Sequence, residues 1–166
     1  MSSQTALQSR RVAVVAIAAA AFLLGVWFGE AGAGVPSVAQ LLLVPLSAVV
    51  AATVAPGQAL VRSSAAALVA TLLVAGWIVG ARGATAAFNA CVSNGETVRQ
   101  SLASHRSRHG RFPNSLADLG APVPCSRFLR GSLLTYNTTG ATYDLYFGDH
   151  LTTHHATDAH GFAAHK

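Results

Sequence analysis

Between Val12 and Ala81 this chain carries only two charged residues, Glu30 and Arg62. A stretch this long and this apolar cannot form the surface of a domain that folds in water, so we expect it to lie in a lipid bilayer. Beyond Ala81, charged residues, histidines and turn-forming residues return. The sequence therefore predicts a membrane region, residues 1–84, followed by a water-facing region.

Three apolar segments of the membrane region are separated by short stretches rich in glycine, proline and serine. They predict three helical spans, at residues 12–28, 38–55 and 65–80. Each span is near the lower limit of about 20 residues needed to cross ~30 Å of hydrocarbon. The first and third spans each contain a G-x-x-x-G motif, Gly25–Gly29 and Gly76–Gly80, which allows two helices to approach closely. Spans rich in alanine and glycine also produce this spacing by chance.

The arginines around the spans predict the orientation. Arg10 and Arg11 precede the first span, and Arg62 lies between the second and third. Placing all three in the cytoplasm satisfies the positive-inside rule and exports the C-terminal half. The expected localisation is the inner membrane of a bacterium, with the N-terminus inside and the C-terminal domain periplasmic or extracellular. An alternative treats residues 1–33 as a cleaved signal peptide, with the same exported side.

The exported region predicts a small α+β domain, residues 85–149, that begins with a long helix. Gly110 should end this helix. Asn94 and Gly95 could interrupt it, with Asn94 capping a second helix that begins at Glu96. On a 3.6-residue period, one helix face carries Phe88, Cys91, Val98, Leu102 and His105.

Shorter elements follow the predicted helix. Pro113 should open a short helical turn, and residues 133–147 read as an antiparallel β-hairpin. Tyr143, Leu145 and Phe147 alternate with more polar neighbours. This alternation predicts one buried and one wet face for the second strand of the hairpin.

The order of long helix, aromatic–proline loop and antiparallel strands resembles the soluble part of type IV pilin-like proteins, especially type II secretion pseudopilins. The matching stretches are SLASHRSRHGRFPNSLADLG and LLTYNTTGATYDLYF, within about residues 92–147. The resemblance implies that the loop wraps back across the helix and that the sheet packs on the apolar stripe. The motif residues are Gly110, Phe112, Pro113, Leu116 and Leu119. No prepilin leader motif precedes any span, so the expected unit is a pilin-like head on a membrane-anchored helix.

Two cysteines, Cys91 and Cys125, both lie in the exported half. An even pair outside the cytoplasm is typical of a structural disulfide. A redox-catalytic role would favour a C-x-x-C motif, which the sequence lacks. We therefore expect a bridge between the two cysteines.

Histidines crowd the end of the chain, residues 150–166, with Asp149 and Asp158 among or beside them. The candidate metal ligands are His150, His154, His155 and His160. Imidazole and carboxylate groups suit zinc, nickel or copper. Their spacing matches no established metal motif, so we expect a solvated, partly disordered tail that binds zinc or nickel only opportunistically, and no dedicated cofactor.

Composition narrows the function classes. The net charge is +5, but the arginines are dispersed, without the dense basic stripe of a nucleic-acid surface. No catalytic constellation or phosphate-binding glycine loop is recognisable, so we expect no enzyme activity.

The leading hypothesis is a non-enzymatic inner-membrane protein that displays its pilin-like domain for protein–protein contact, accessory to type II secretion or type IV pilus machinery. Expected partners are the lipid bilayer, membrane or periplasmic proteins, and a second copy of the chain. The alternative is a periplasmic metal-binding or sensing membrane protein that uses the histidine-rich tail.

Overall fold

The structure is a computed structural model that describes residues 3–31, 38–55, 58–120, 125–148 and 152–165. The chain divides into two compact units, Met1–Arg82 and Gly83–Lys166. The helices are α1 (Ser3–Ala31), α2 (Val38–Val54) and α3 (Ala59–His109), followed by a 3₁₀ turn (Leu116–Leu119). The strands are β1 (Ser126–Arg127), β2 (Gly131–Ser132), β3 (Thr135–Thr138), β4 (Tyr143–Gly148), β5 (Thr153–Thr157) and β6 (Ala163–His165).

The first unit contains α1, α2 and the start of α3. By length and composition, two helices of the described residues could cross a membrane: the segment Val12–Ala31 of α1, and α3. The apolar part of α2, Leu42–Val54, is shorter. The prediction of three spans is therefore not confirmed, and the second span stays a prediction.

The helices of the first unit bury mainly small residues and leave large apolar residues on their surface. The buried cluster consists of Ala18, Ala21, Ala51, Val69 and Leu73. Large side chains such as Val15, Leu42 and Val79 are more than half exposed. A water-soluble domain would bury such side chains, because each gains about 1.5–3 kcal/mol on leaving water.

The two G-x-x-x-G motifs bring α1 and α3 together. A Cβ atom added to Gly25 would overlap the carbonyl oxygen of Leu73, and one added to Gly76 would overlap that of Phe22. Gly29 and Gly80 meet the opposite backbone in the same way. The absence of side chains at these positions therefore permits the close approach that the motif predicts.

Helix α3 runs without a break through Asn94 and Gly95, which corrects the predicted interruption there. The Asn94 side-chain amide donates to the carbonyl of Ala90, 3.0 Å away, instead of capping a new helix. Gly95 is buried, and a Cβ there would stand 2.7 Å from the ring of Phe162. Glycine at this position therefore makes room for a side chain from the C-terminal segment. It is not a helix terminator.

The helix ends where the sequence predicts. Gly110 adopts a φ of 74°, in the left-handed region that favours glycine. Its N–H group donates to the carbonyl of Arg106 at 2.8 Å, which satisfies one of the last helical carbonyls.

Four strands form one antiparallel sheet in the order β3-β4-β5-β6, and β1 and β2 form a separate pair. The predicted hairpin is confirmed as β3 and β4, with Thr138 opposite Tyr143 at the turn. Along β4, Tyr143, Leu145 and Phe147 are buried, whereas Asp144 and Tyr146 are exposed. This is the alternation expected of a strand with one face on a core.

Two side-chain contacts show the direction in which β4 runs along α3. The ring of Phe147 packs on Phe88, with centroids 5.7 Å apart. The hydroxyl of Tyr143 contacts Arg99, further along the helix. Because β4 begins at Tyr143 and ends beyond Phe147, it runs antiparallel to α3. The buried core between them comprises Cys91, Val98, Leu102, Phe112, Leu116, Cys125, Leu134, Tyr143, Leu145, Phe147 and Ala156.

The predicted solvated tail, residues 150–166, is corrected by the structure. Residues Thr153–Thr157 and Ala163–His165 form β5 and β6, so this segment completes the sheet. Of the two residues that β5 turns inward, Ala156 is 1% exposed and paired with Leu145, and His154 is partly buried against Phe147. A strand that buries only one small alanine shows little hydrophobic periodicity, which is why the sequence pattern indicated a tail.

Candidate functional site

A cleft of about 480 Å³ lies between the last turns of α3 and the sheet of the second unit. It is lined by Glu96, Arg99, Gln100, Ala103, Arg106, Ser107, Gly110, Phe112, Tyr143 and Asp158. Arg99 and Arg106 are seven residues apart, so two helical turns place both guanidinium groups on the same face of α3. The cleft therefore combines two arginines and two carboxylates, Glu96 and Asp158, with aromatic walls.

Arg99 connects the helix to two strands. Its Nε donates to the Tyr143 hydroxyl at 3.2 Å, and its Nη2 donates to the carbonyl of Thr157 at 3.4 Å. Its Nη1 contacts both carboxylate oxygens of Glu96, at 2.9 and 3.0 Å. Partial burial lowers the pKa of Arg99, but the bonds to Glu96 and Tyr143 offset this, so the pKa lies above its ordinary value. Arg99 is thus a fixed cation that organises the wall of the cleft.

Arg106 is held less tightly. Its guanidinium carbon lies 4.8 Å from the centroid of the Phe112 ring, a cation–π contact. Its Nη1 lies 3.9 Å from Asp158, and its side chain is 49% exposed. A pair this long and this exposed contributes little stability. Arg106 is therefore the less firmly held of the two guanidinium groups.

The loop after α3, whose residues carry the resemblance to pilin-like proteins, lies beside this cleft. Phe112 is 2% exposed, and its ring packs on Tyr143 with centroids 4.8 Å apart. The Phe112 N–H donates to the carbonyl of Gly140 in the hairpin turn at 2.9 Å. These contacts fasten the loop after α3 to the sheet.

The residues that follow Phe112 make further contacts with the sheet and with the core. Pro113 is buried, and its carbonyl accepts a 2.7 Å hydrogen bond from the Tyr136 hydroxyl. Burial raises the pKa of Tyr136, so this hydroxyl stays protonated as a donor. Leu116 is buried, and Leu119 packs against the same core. The loop after α3 is therefore fastened to the sheet and to the core of the domain.

His105 and His109 lie one turn apart on α3 with stacked rings, their centroids 4.2 Å apart. They border a groove of about 450 Å³ that is also lined by Arg111, Pro113, Asn114 and Asp118. Desolvation, with smaller repulsions from His109 and Arg108, lowers the pKa of His105. The His105 ring is therefore neutral near pH 7.

The predicted metal ligands are not brought together among the residues described. His154 stacks on Phe147, with centroids 4.7 Å apart, on the core side of β5. His155 projects to the opposite face, where its Nε2 lies 3.1 Å from Asp144. His160 lies in the turn between β5 and β6, and His150 is outside the described residues. Within the described part of the chain, no group of three or more His, Cys, Asp or Glu could hold a metal ion.

Cys91 and Cys125 lie at disulfide distance, with their Cα atoms 5.1 Å apart, and are joined across 34 residues. Both are almost fully buried, at 0% and 2% exposure. Closing a loop of this length stabilises a domain by about 3–4 kcal/mol in the chain-entropy model. This fixes the segment after the loop to the early turns of the second unit's helix.

The cleft is the feature that sequence reasoning missed. The only sequence signal for the cleft is the seven-residue spacing of Arg99 and Arg106. That spacing is equally typical of a helix face exposed to solvent. The contributions of Tyr143 and Asp158 depend on the packing of β4 and of the β5–β6 turn against α3. No local pattern contains that information.

Comparisons with protein-family models, with curated proteins and with solved structures found no match to this chain. Its function is therefore inferred from the residues themselves and from the geometry of the site.

Proposed function

We propose that this chain is a non-enzymatic bacterial inner-membrane protein that displays a small, pilin-like α+β domain for contact with another protein. Its N-terminus lies in the cytoplasm, and the unit that begins at Gly83 lies on the exported side. Its partners belong to the envelope machinery of type II secretion or type IV pili.

The observation that carries this proposal is the contrast between the two units. The first leaves large apolar side chains such as Val15 and Leu42 exposed, as lipid-facing helices do. The second buries an aromatic core and holds a cysteine pair at disulfide distance, Cys91–Cys125. Disulfides persist in oxidising compartments, so the second unit suits the exported side of a membrane.

The cleft beside Arg99 and Arg106 is the contact surface that we assign to the partner. Arg99 is held by Glu96 and Tyr143, and so forms a fixed wall of this surface at little conformational cost. Arg106 has a weak intramolecular pair that an acidic side chain can replace. A partner segment with an acidic residue flanked by apolar residues would match this surface.

Topology is tested first, with reporter fusions after the second unit. Alkaline phosphatase should be active there and green fluorescent protein dark, because the second unit is exported. In cells lysed directly into denaturant, which exposes both buried cysteines, the thiols should resist alkylation until a reductant is added. Fluorescence in the cytosol, or two freely reactive thiols, would contradict the proposal.

The contact surface is tested by photocrosslinking in living cells. A benzophenone side chain at Gln100, exposed within the cleft, should capture a component of the secretion or pilus machinery. The matched control is Ser93, exposed on the same helix but outside the cleft. Adding Arg106→Glu should abolish the adduct at Gln100. An adduct of equal yield at Ser93 would exclude the cleft as the contact surface.

A further inference from the structure

Two histidines near the end of α3 lie side by side, outside the lining of the partner cleft. His105 and His109 are four residues apart, and their rings stack with centroids 4.2 Å apart and planes 12° apart. Residues at this spacing are neighbours on a helix surface, and two histidines so placed hold the metal ion of H-E-x-x-H sites. Arg106 stands where that motif has its glutamate. The pair therefore offers metal ligands without a general base.

Both rings can be reached from solvent. His109 is exposed and His105 is half-buried. They border the groove of about 450 Å³ whose other walls include Asn114 and Asp118. Within the described part of the chain the two rings stack on each other, and their nitrogens take no part in a hydrogen bond. The nitrogens are therefore available as ligands.

The charges around the pair favour a late transition metal over magnesium or calcium. Desolvation lowers the pKa of His105, repulsion from nearby positive charges lowers it further, and the Asp118 carboxylate acts in the opposite direction. The repelling groups are His109, Arg108 and Arg111. The neutral imidazole, which is the form that binds a metal, is therefore present near pH 7. Because the arginines also repel a dication, binding must come from nitrogen–metal bonds, which copper, nickel and zinc form and the oxygen-seeking magnesium and calcium do not.

One nitrogen of each ring can reach a common ion after the rings turn out of their stack. The χ2 torsion of histidine is broad, so this rotation is cheap. Bonds of about 2.0–2.1 Å to the ion are within reach of two side chains whose Cβ atoms lie about 5–6 Å apart. Asp118 accepts a 3.0 Å hydrogen bond from the N–H of Ser115, and among the described residues no third His, Cys, Asp or Glu completes a ligand set. Water therefore fills the other coordination positions.

We propose that His105 and His109 form a two-histidine site that chelates a late divalent transition metal ion, with copper(II) bound more tightly than nickel(II) or zinc(II). This order follows the general preference of such ligands for these ions. The site lies entirely within the second unit, so it depends neither on the membrane topology nor on the partner cleft. It is also distinct from the histidine-rich segment, where His154 and His155 lie on opposite faces of the sheet.

The place of the bound ion is measured on the full chain in detergent, with isotope-labelled histidine rings. Copper(II) is paramagnetic and broadens the nuclear magnetic resonance signals of nuclei close to it. When copper(II) is added at less than one equivalent, the ring signals of His105 and His109 should broaden together, before those of the histidines in residues 150–165. An excess of magnesium should not prevent the broadening.

Chelation is tested with a variant that keeps the number of histidines. His109→Gln removes one ligand and should weaken copper binding at His105 about 100-fold, because the second bond of a chelate forms at a high effective concentration. Adding Ser107→His restores the histidine count, but residues two apart on a helix do not face each other. The combined variant should therefore bind as weakly as His109→Gln. The control is His160→Gln, at an exposed position in the β5–β6 turn, which should leave the affinity unchanged.

The same loss should appear at the other ring, so His105→Gln should weaken copper binding at His109 to the same extent. Broadening that begins in residues 150–165 would show adventitious binding by the C-terminal segment and overturn the inference. An unchanged affinity after His109→Gln, or full recovery with Ser107→His, would also overturn it, because the two rings would then not act as a chelate. The topology and photocrosslinking tests of the proposed function are independent of each of these results.

Discussion

The Nε of Arg99 donates a 3.2 Å hydrogen bond to the hydroxyl of Tyr143, which joins the middle of the second unit's helix to the first residue of β4. Tyr143 is buried at 4% exposure, and the Arg99 side chain is 18% exposed. The bond therefore lies largely out of water, where losing one partner is costly.

Removing either partner of this bond should destabilise the domain. Tyr143→Phe deletes only the hydroxyl and should cost about 1 kcal/mol, because Arg99 then loses one acceptor. Arg99→Met also removes the contacts to Glu96 and Thr157, so it should cost more. Pulse proteolysis of the full chain in urea measures both. In a double-mutant cycle the two changes should couple by about 0.5–1.5 kcal/mol, and strict additivity would show that the bond contributes nothing.

Gly95 should tolerate no large side chain, because Phe162 lies over it. Gly95→Leu should cost about 1–3 kcal/mol through overpacking, in spite of the better helix propensity of leucine. Asn94→Leu, at the exposed neighbouring position, is the matched control and should be close to neutral. Phe162→Ala in the Gly95→Leu background should recover part of the loss. Equal effects of both leucine substitutions would mean that the C-terminal segment does not pack on the helix.

Gly76 should be equally sensitive in the first unit, since α1 approaches α3 at this position. Gly76→Leu should separate the two helices and cost about 1–3 kcal/mol. Ala67→Leu, exposed on the same helix, is the control and should have little effect. Thermal unfolding in detergent compares the variants. A Gly76→Leu protein as stable as the control would show that the two helices do not need this contact.

His105 should make the stability of the domain depend on pH. Desolvation lowers its pKa in the folded state, so the unfolded chain binds the proton more strongly. Its contribution is therefore present above the ordinary histidine pKa of about 6.5 and is lost as pH falls through the lower folded value. Nuclear magnetic resonance titration should find that pKa below the ordinary value. His109→Gln should raise it, because it removes a repulsive neighbour.

Parts of this fold follow directly from local sequence signals. The helix end at Gly110 and the alternation of Tyr143, Leu145 and Phe147 depend on backbone preference and a two-residue period, and both are confirmed. Asn94 and Gly95 show where such signals fail. Their dipeptide is a common breaker, but packing of the helix against Phe162 outweighs its local preference.

The prediction of a solvated tail at residues 150–166 was wrong because long-range strand pairing, which the local sequence does not reveal, also decides the structure there. Strand β5 is stabilised by pairing with β4, and its one fully buried residue, Ala156, is too small to mark a buried face in the sequence. The pairing also separates His154 from His155 across the sheet, because neighbouring residues of a strand face opposite sides. His154 and His155 are therefore adjacent in the sequence but lie on opposite faces of the sheet.

The cysteine bridge makes the maturation of the second unit depend on an external oxidant. Until Cys91 and Cys125 are joined, the chain lacks roughly the 3–4 kcal/mol that the closed loop supplies, a large share of the stability of a small domain. A copy retained in a reducing compartment would spend more time open to proteases. On the proposed topology, abundance in the cell should thus report on export, because molecules that fail to reach an oxidising compartment would be degraded.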